Sequence, residues 1–223
     1  MYWNRKKASV FVSVLVTAAM SVATVSYAGD IVTNNPIVIN KSGSYRLQGN
    51  IIVQHPGVAV EIAAPNVTLD LNGYSVLGSG SGSGIVAMAP DTTIMNGSVA
   101  DMSGTGVDCF DSCRIEKMRI TRCGVGIAAG FNSLIKDNVI VFNSSHGLVF
   151  PPLDPFPGGP GLSGFSNNVI NDNNGGNTNI QIEGYAIELG TNICGNTTDC
   201  SPGSIVPAAS GTTINDSADK QDG

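Results

Sequence analysis

The chain has 223 residues, with 17 Asp+Glu against 11 Lys+Arg and a formal net charge of −6. This acidic balance argues against a general nucleic-acid binder, which needs a basic face to meet phosphates. The length fits one domain with a sizeable core, and nothing beyond residue 28 is long and apolar enough to span a bilayer.

Residues 1–28 read as a secretory signal. Arg5, Lys6 and Lys7 form a basic start, Val10 to Val25 is mostly apolar, and Ser26-Tyr27-Ala28 offers small residues at the −3 and −1 positions of a cleavage site. The expected location is therefore secreted or periplasmic. Cleavage there removes three basic residues, leaving 8 Lys+Arg against 17 Asp+Glu, a net charge of −9.

Residues 29–204 carry short alternating runs such as Val67-Thr68-Leu69-Asp70-Leu71, with Gly, Asn, Ser and Asp between them. That is the pattern of half-buried strands joined by turns, and no stretch keeps a helical period. Pro36 to Val53 is expected to cover the first end of the stack. A glycine followed by an aliphatic residue then returns at Gly84-Ile85, Gly106-Val107, Gly126-Ile127 and Gly147-Leu148, in steps of 22, 20 and 21. A period of about 20 residues marks a solenoid whose units bury their apolar edges on one another. The LxxLxL pattern of a leucine-rich horseshoe is missing. The expected fold is all-β: a single-stranded right-handed parallel β-helix of roughly 20–22 residues per coil.

A spacing of 21 lays Ile94 over Ile115, makes a column of Val99, Ile120 and Val141, places Asp101 beneath Arg122 and sets Arg122 beside Asn143. Asn167-Asn168-Val169-Ile170 echoes Asp137-Asn138-Val139-Ile140. The span 151–161 holds five prolines and three glycines, so it is expected to leave the coil as a loop. Residues 205–223 are polar and are expected to form a mobile tail.

All five cysteines lie in the exported part. Their spacing suits local disulfides between Cys194 and Cys200 and between Cys109 and Cys113, leaving Cys123 unpaired. With no CxxC pair and no clustered histidine, neither a metal nor any other cofactor is expected.

With the repeats laid out, residues 41–51 (KSGSYRLQGNI), 66–74 (NVTLDLNGY) and 93–99 (TIMNGSV) resemble the bacterial secreted proteins of the right-handed β-helix repeat class. Their broad fold is shared with pectate lyases. The resemblance covers roughly residues 36–200 and implies polysaccharide as partner by analogy. Polygalacturonase motifs match only in fragments: Ser145-His146-Gly147 for a Gly-His-Gly, and Arg114-Ile115-Glu116-Lys117 for an Arg-Ile-Lys. The paired aspartates that inversion needs are missing. Leu153-Asp154-Pro155-Phe156 replaces the histidine of an epimerase Asp-Pro-His.

Three functions remain. Arg114, Lys117, Arg119, Arg122 and Lys136 are five of the eight basic residues left after cleavage. Non-catalytic binding or scaffolding at a polysaccharide or cell-envelope surface is the preferred function, and a band built on Arg119, Arg122 and Lys136 is the candidate grip for an acidic polysaccharide or an envelope glycan. For the band itself, simple pairing of these charges with carboxylates of neighbouring coils is favoured over a ligand site. The second function is a uronan lyase or epimerase with His146 as base and Arg122, Lys136 and Asp137 around it. The third is a structural envelope protein.

Overall fold

The computed structural model describes residues 23–24, 31–33, 35–152, 161–173 and 181–195. The chain winds as a β-solenoid in which every strand pairing among the described residues is parallel. One sheet has seven strands, one from each coil: Ile37–Ile39, Val58–Ile62, Ser83–Ala87, Thr105–Asp111, Val125–Phe131, Leu148–Val149 and Ile182–Glu183. Seven strands make six coil-to-coil steps. The other sheet has 14 strands and wraps two further faces, with Thr92–Ala100 and Arg114–Thr121 running across both.

Aliphatic columns fill the interior. Leu69, Ile94, Ile115, Ile135 and Phe165 stack on one face, and Val76, Val99, Ile120, Ile140 and Ile170 on the next. Val60, Ile85, Val107, Ile127, Leu148 and Ile182 line the seven-stranded sheet. All are buried, and each fully buried side chain of this size contributes roughly 1.5–3 kcal/mol. The recurring glycines face this core. A Cβ at Gly84, Gly106, Gly126 or Gly147 would strike Val99, Ile120, Ile140 or Ile170 across the same coil. The Gly-aliphatic repeat therefore marks where backbone and branched column close on one another.

The coils turn at three corners, each carried by a residue with positive φ. One series is Asp91, Ser112 and Asn132; a second is Asn96, Lys117, Asp137 and Asn167; a third is Asp101, Arg122, Phe142 and Asp172. Within a coil these corners follow one another at intervals of five residues, as in Asp91, Asn96 and Asp101. Asn and Asp tolerate this left-handed conformation better than other non-glycine residues, which accounts for their abundance.

The residue after each corner points inward, and its amide needs a partner. In the later coils side chains supply it. Met118 N–H donates to Asn138 Oδ1 at 2.9 Å, Asn138 N–H to Asn168 Oδ1 at 3.1 Å, and Asn168 N–H to Asn192 Oδ1 at 3.0 Å. A second ladder runs from Cys123 N–H to Asn143 Oδ1 (2.9 Å), Asn143 N–H to Asn173 Oδ1 (3.0 Å) and Asn173 N–H to Gln181 Oε1 (3.1 Å). At the remaining corner Cys113 N–H donates to Ser133 Oγ and Ser133 N–H to Ser163 Oγ. Buried polar groups satisfied in this way hold register, because a slipped coil would leave them unpaired.

The structure departs from a fixed step in several places. Thr93 pairs with Arg114, an offset of 21, but Arg114 pairs with Leu134, an offset of only 20. Ile120 therefore faces Ile140, and Val141 stands beside Thr121. The column of Val99 and Ile120 continues through Ile140, not Val141. The corner after Arg122 is Phe142, not Asn143, which turns inward as a ladder residue. Offsets near 21 hold only in the middle of the stack. Gly43 pairs with Val67, Val67 with Thr92 and Leu134 with Gly164, at offsets of 24, 25 and 30. The last of these absorbs the proline-rich span while keeping Val139 and Ile140 over Val169 and Ile170.

The stretch 36–53, expected as an end cover, is a coil in its own right. Its strands pair with Val58–Ile62, Val67–Asp70 and Ser75–Leu77. Ala23–Thr24 and Ile31–Thr33 lie parallel to its other edge. Cys109 and Cys113 are bonded across a corner, with Cα atoms 6.4 Å apart, and Cys123 is a buried free thiol. Cys194 is disulfide-bonded. Cys200, residues 153–160 of the proline-rich span and the tail 205–223 lie outside the described residues.

Asn138→Ala deletes the acceptor of the Met118 amide and the donor to the Ile115 carbonyl, both buried. It is expected to lower stability by about 2–4 kcal/mol. Urea unfolding should show this as a lower midpoint at unchanged slope.

Candidate functional site

A groove of about 620 Å³ runs beside the third series of corners. One side is formed by Asp101, Arg122 and Phe142, which succeed one another along the stack at about 4.8 Å per coil. The buried Met102 and Cys123 form the floor. The exposed hydroxyl-bearing residues Ser103 and Ser144 form the other side. Gly78, Ser79 and Gly80 close the end toward the N terminus. A Cβ at Gly78 would meet the Asp101 carbonyl and Met102 Sδ, so only glycine lets that backbone close on the next coil.

Arg122 reaches back to Asp101 with a two-pronged bond, Nε to Oδ1 at 2.6 Å and Nη2 to Oδ2 at 2.9 Å. The predicted stacking of Asp101 under Arg122 is thus realised. The hydrogen bond and charge of Arg122 hold the Asp101 carboxyl below its ordinary value. The Asp101 side chain is 39% exposed, so solvent screening keeps the pair's net contribution within about 1 kcal/mol. Phe142 is 56% exposed with φ of 59°. A bulky side chain in this conformation costs on the order of 1–3 kcal/mol, and such costs gather at functional sites. Beneath the groove, burial pushes the Cys123 thiol up to about 11, so it stays protonated and is not a nucleophile.

The other predicted site residues lie elsewhere. Lys136 sits on the first face of the 14-stranded sheet, 3.5 Å from Glu116 and 3.6 Å from Asp137. Arg114 approaches the same Glu116 oxygen at 3.5 Å. Arg119 is exposed on the next face, in register with Ser98 and Val139, and has no ion pair among the described residues. Lys117 separates these faces at a corner. The basic residues thus span two faces and two corners, and three of the five are paired with carboxylates.

His146 belongs to a third place, before Leu148–Val149 of the seven-stranded sheet. Its Nδ1 lies 2.8 Å from Ser145 Oγ and 3.6 Å from Glu183 Oε2. Both partners approach the same ring nitrogen. A nucleophile–base–acid relay needs them on opposite nitrogens. Neither Arg122 nor Lys136 shares this site with His146. Among the described residues, no group of three or more His, Cys, Asp and Glu converges as metal donors, and no helix is long and apolar enough to cross a membrane.

Sequence spacing alone misses Phe142, because a fixed step of 21 puts Asn143 beside Arg122. The five-residue corner interval carries the missing signal: 132, 137 and 142 repeat 112, 117 and 122.

Fold and site together define a parallel β-solenoid with a lateral groove. Comparison with protein-family models, curated proteins and solved structures found no match.

Two carboxylates should respond to pH in opposite senses. Asp101 has a lowered folded pKa, so its contribution is present above the ordinary carboxylate value and disappears as pH falls through the folded one. Asp101→Asn should therefore be the less stable protein at pH 7, by less than about 1 kcal/mol, with the difference closing below about pH 4. Asp108 lies between Val86 and Ala128 on the seven-stranded sheet, and burial raises its carboxyl. Its ionisation opposes folding above the ordinary carboxylate range. Asp108→Asn should be the more stable protein at pH 7, with that advantage shrinking on acidification. Thermal melts of both variants from about pH 3 to pH 7 check the signs.

Proposed function

We propose that this is an exported, non-catalytic β-solenoid that binds polysaccharide at a cell-envelope or matrix surface through the corner groove. One observation carries the reading: Phe142 is held in a strained backbone conformation with its ring open to solvent, beside the hydrogen-bonding Asp101–Arg122 pair. An exposed aromatic face offers a platform for the C–H face of a sugar ring, and the flanking polar groups meet its hydroxyls. The groove runs along the stack, so it suits a linear polymer rather than a compact ligand. The Cys109–Cys113 disulfide and the pattern of residues 1–28 support export.

A lyase or epimerase would need its base and its carboxylate-holding cations around one sugar. His146, Arg122 and Lys136 stand at three separate places, which favours binding over turnover. Scaffolding is compatible with the same groove, since a rigid stack that holds a polymer also organises it.

Phe142→Asn separates function from folding, because Asn already adopts the same positive-φ conformation at residues 96, 132 and 167, in the other two corner series. The variant should be as stable as the parent or more stable, by up to about 1 kcal/mol, and should lose retention in polysaccharide affinity gels by about tenfold or more. No unsaturated product should accumulate with either protein. Undiminished retention by a folded Phe142→Asn protein, or release of unsaturated product by the parent, would contradict the proposal.

A further inference from the structure

We infer that the groove's ligand is a neutral glycan laid parallel to the solenoid axis, not a polyuronate. The inference rests on the groove being the glycan site.

Its lining holds one cation and one anion, and these are spent on each other: both Asp101 oxygens accept from the Arg122 guanidinium. The remaining groups are the exposed serines 79, 103 and 144, the Phe142 ring and backbone at Gly78 and Gly80. A sugar hydroxyl can donate to Asp101 and accept from Arg122 without parting them. A sugar carboxylate would meet the Asp101 charge at the one place where Arg122 offers its own. To reach that cation it would have to displace a bidentate partner already in position. The chain as a whole opposes an anionic polymer as well, since its net charge is −6. Lys117 and Arg119, which have no ion pair among the described residues, do not line the groove. The direction of the ligand follows from the three corner residues succeeding one another coil by coil, so that Phe142, Arg122 and Asp101 meet successive parts of one chain.

The test uses affinity gels containing neutral β-glucan, xylan or galactan, and parallel gels containing alginate or polygalacturonate, at salt from about 0.05 to 0.5 M. The parent protein should be retained by at least one neutral polymer, with retention unchanged by salt. Asp101→Asn removes the anion and releases Arg122. That variant should gain a retention on polyuronate gels that the parent lacks, and lose it again at high salt. Retention of the parent by polyuronates alone, falling with salt, overturns the neutral ligand while leaving the groove as a glycan site. Absence of retention on every gel overturns the glycan reading itself. Should Asp101→Asn remain indifferent to polyuronate while folded, the Asp101 carboxylate is not what keeps Arg122 from an anionic sugar, and the neutral-ligand inference falls.

Discussion

Each coil of this protein turns three corners, and every corner leaves an inward-pointing amide that must be satisfied away from water. This requirement governs the rest of the structure. In the later coils Asn138, Asn143, Asn168 and Asn173 meet it, each using its side-chain oxygen to take an amide from the coil before. Their side-chain amides then reach back to Ile115, Ile120, Ile135 and Ile140 carbonyls. Hydrophobic burial supplies most of the driving force for such a stack and opposes a one-residue slip, which would turn each strand's apolar side outward. A two-residue slip keeps that side inward but leaves the corner amides unpaired, and the ladders therefore fix which residues become neighbours.

The groove is a by-product of the same corners. Arg122 and Phe142 are the residues that precede the ladder positions Cys123 and Asn143. With the ladder residue turned inward, the corner residue is turned outward, whatever its type. Most corners use Asn or Asp, which suit the conformation. Ser112, Lys117, Arg122 and Phe142 do not, and of these Arg122 and Phe142 adjoin one another beside the groove. A local cost of this kind, borne where the core gains nothing from it, ties the groove to function more firmly than its size does.

The architecture was legible in the sequence because glycine spacing reports a packing constraint directly. Gly84, Gly106, Gly126 and Gly147 recur because a Cβ would collide with the branched column across the coil. The pairing of Ile94 with Ile115 and of Asp101 with Arg122 followed from the same spacing. What was not legible was the length of each individual coil. A corner tolerates a small insertion or deletion, so the step of 20 between Ile120 and Ile140 hid behind an average of 21. That single residue exchanged Phe142 for Asn143 beside Arg122 and concealed the groove. The basic band was misleading for a related reason. Charges close in sequence were separated by corners onto different faces, and only the folded coil shows that Arg114 and Lys136 both answer Glu116.

Native-state hydrogen exchange of the amides of Met118 and Cys123 tests this account most directly. Neither amide has its partner in the regular strand ladder; each depends on one asparagine side chain from the following coil. If the ladders hold the stack in register, both amides exchange only through global unfolding, with protection equal to that of Ile120 and Ile140. Exchange of Met118 and Cys123 at the rate of a solvated turn, while Ile120 and Ile140 stay protected, would show that the coils are held by apolar packing alone.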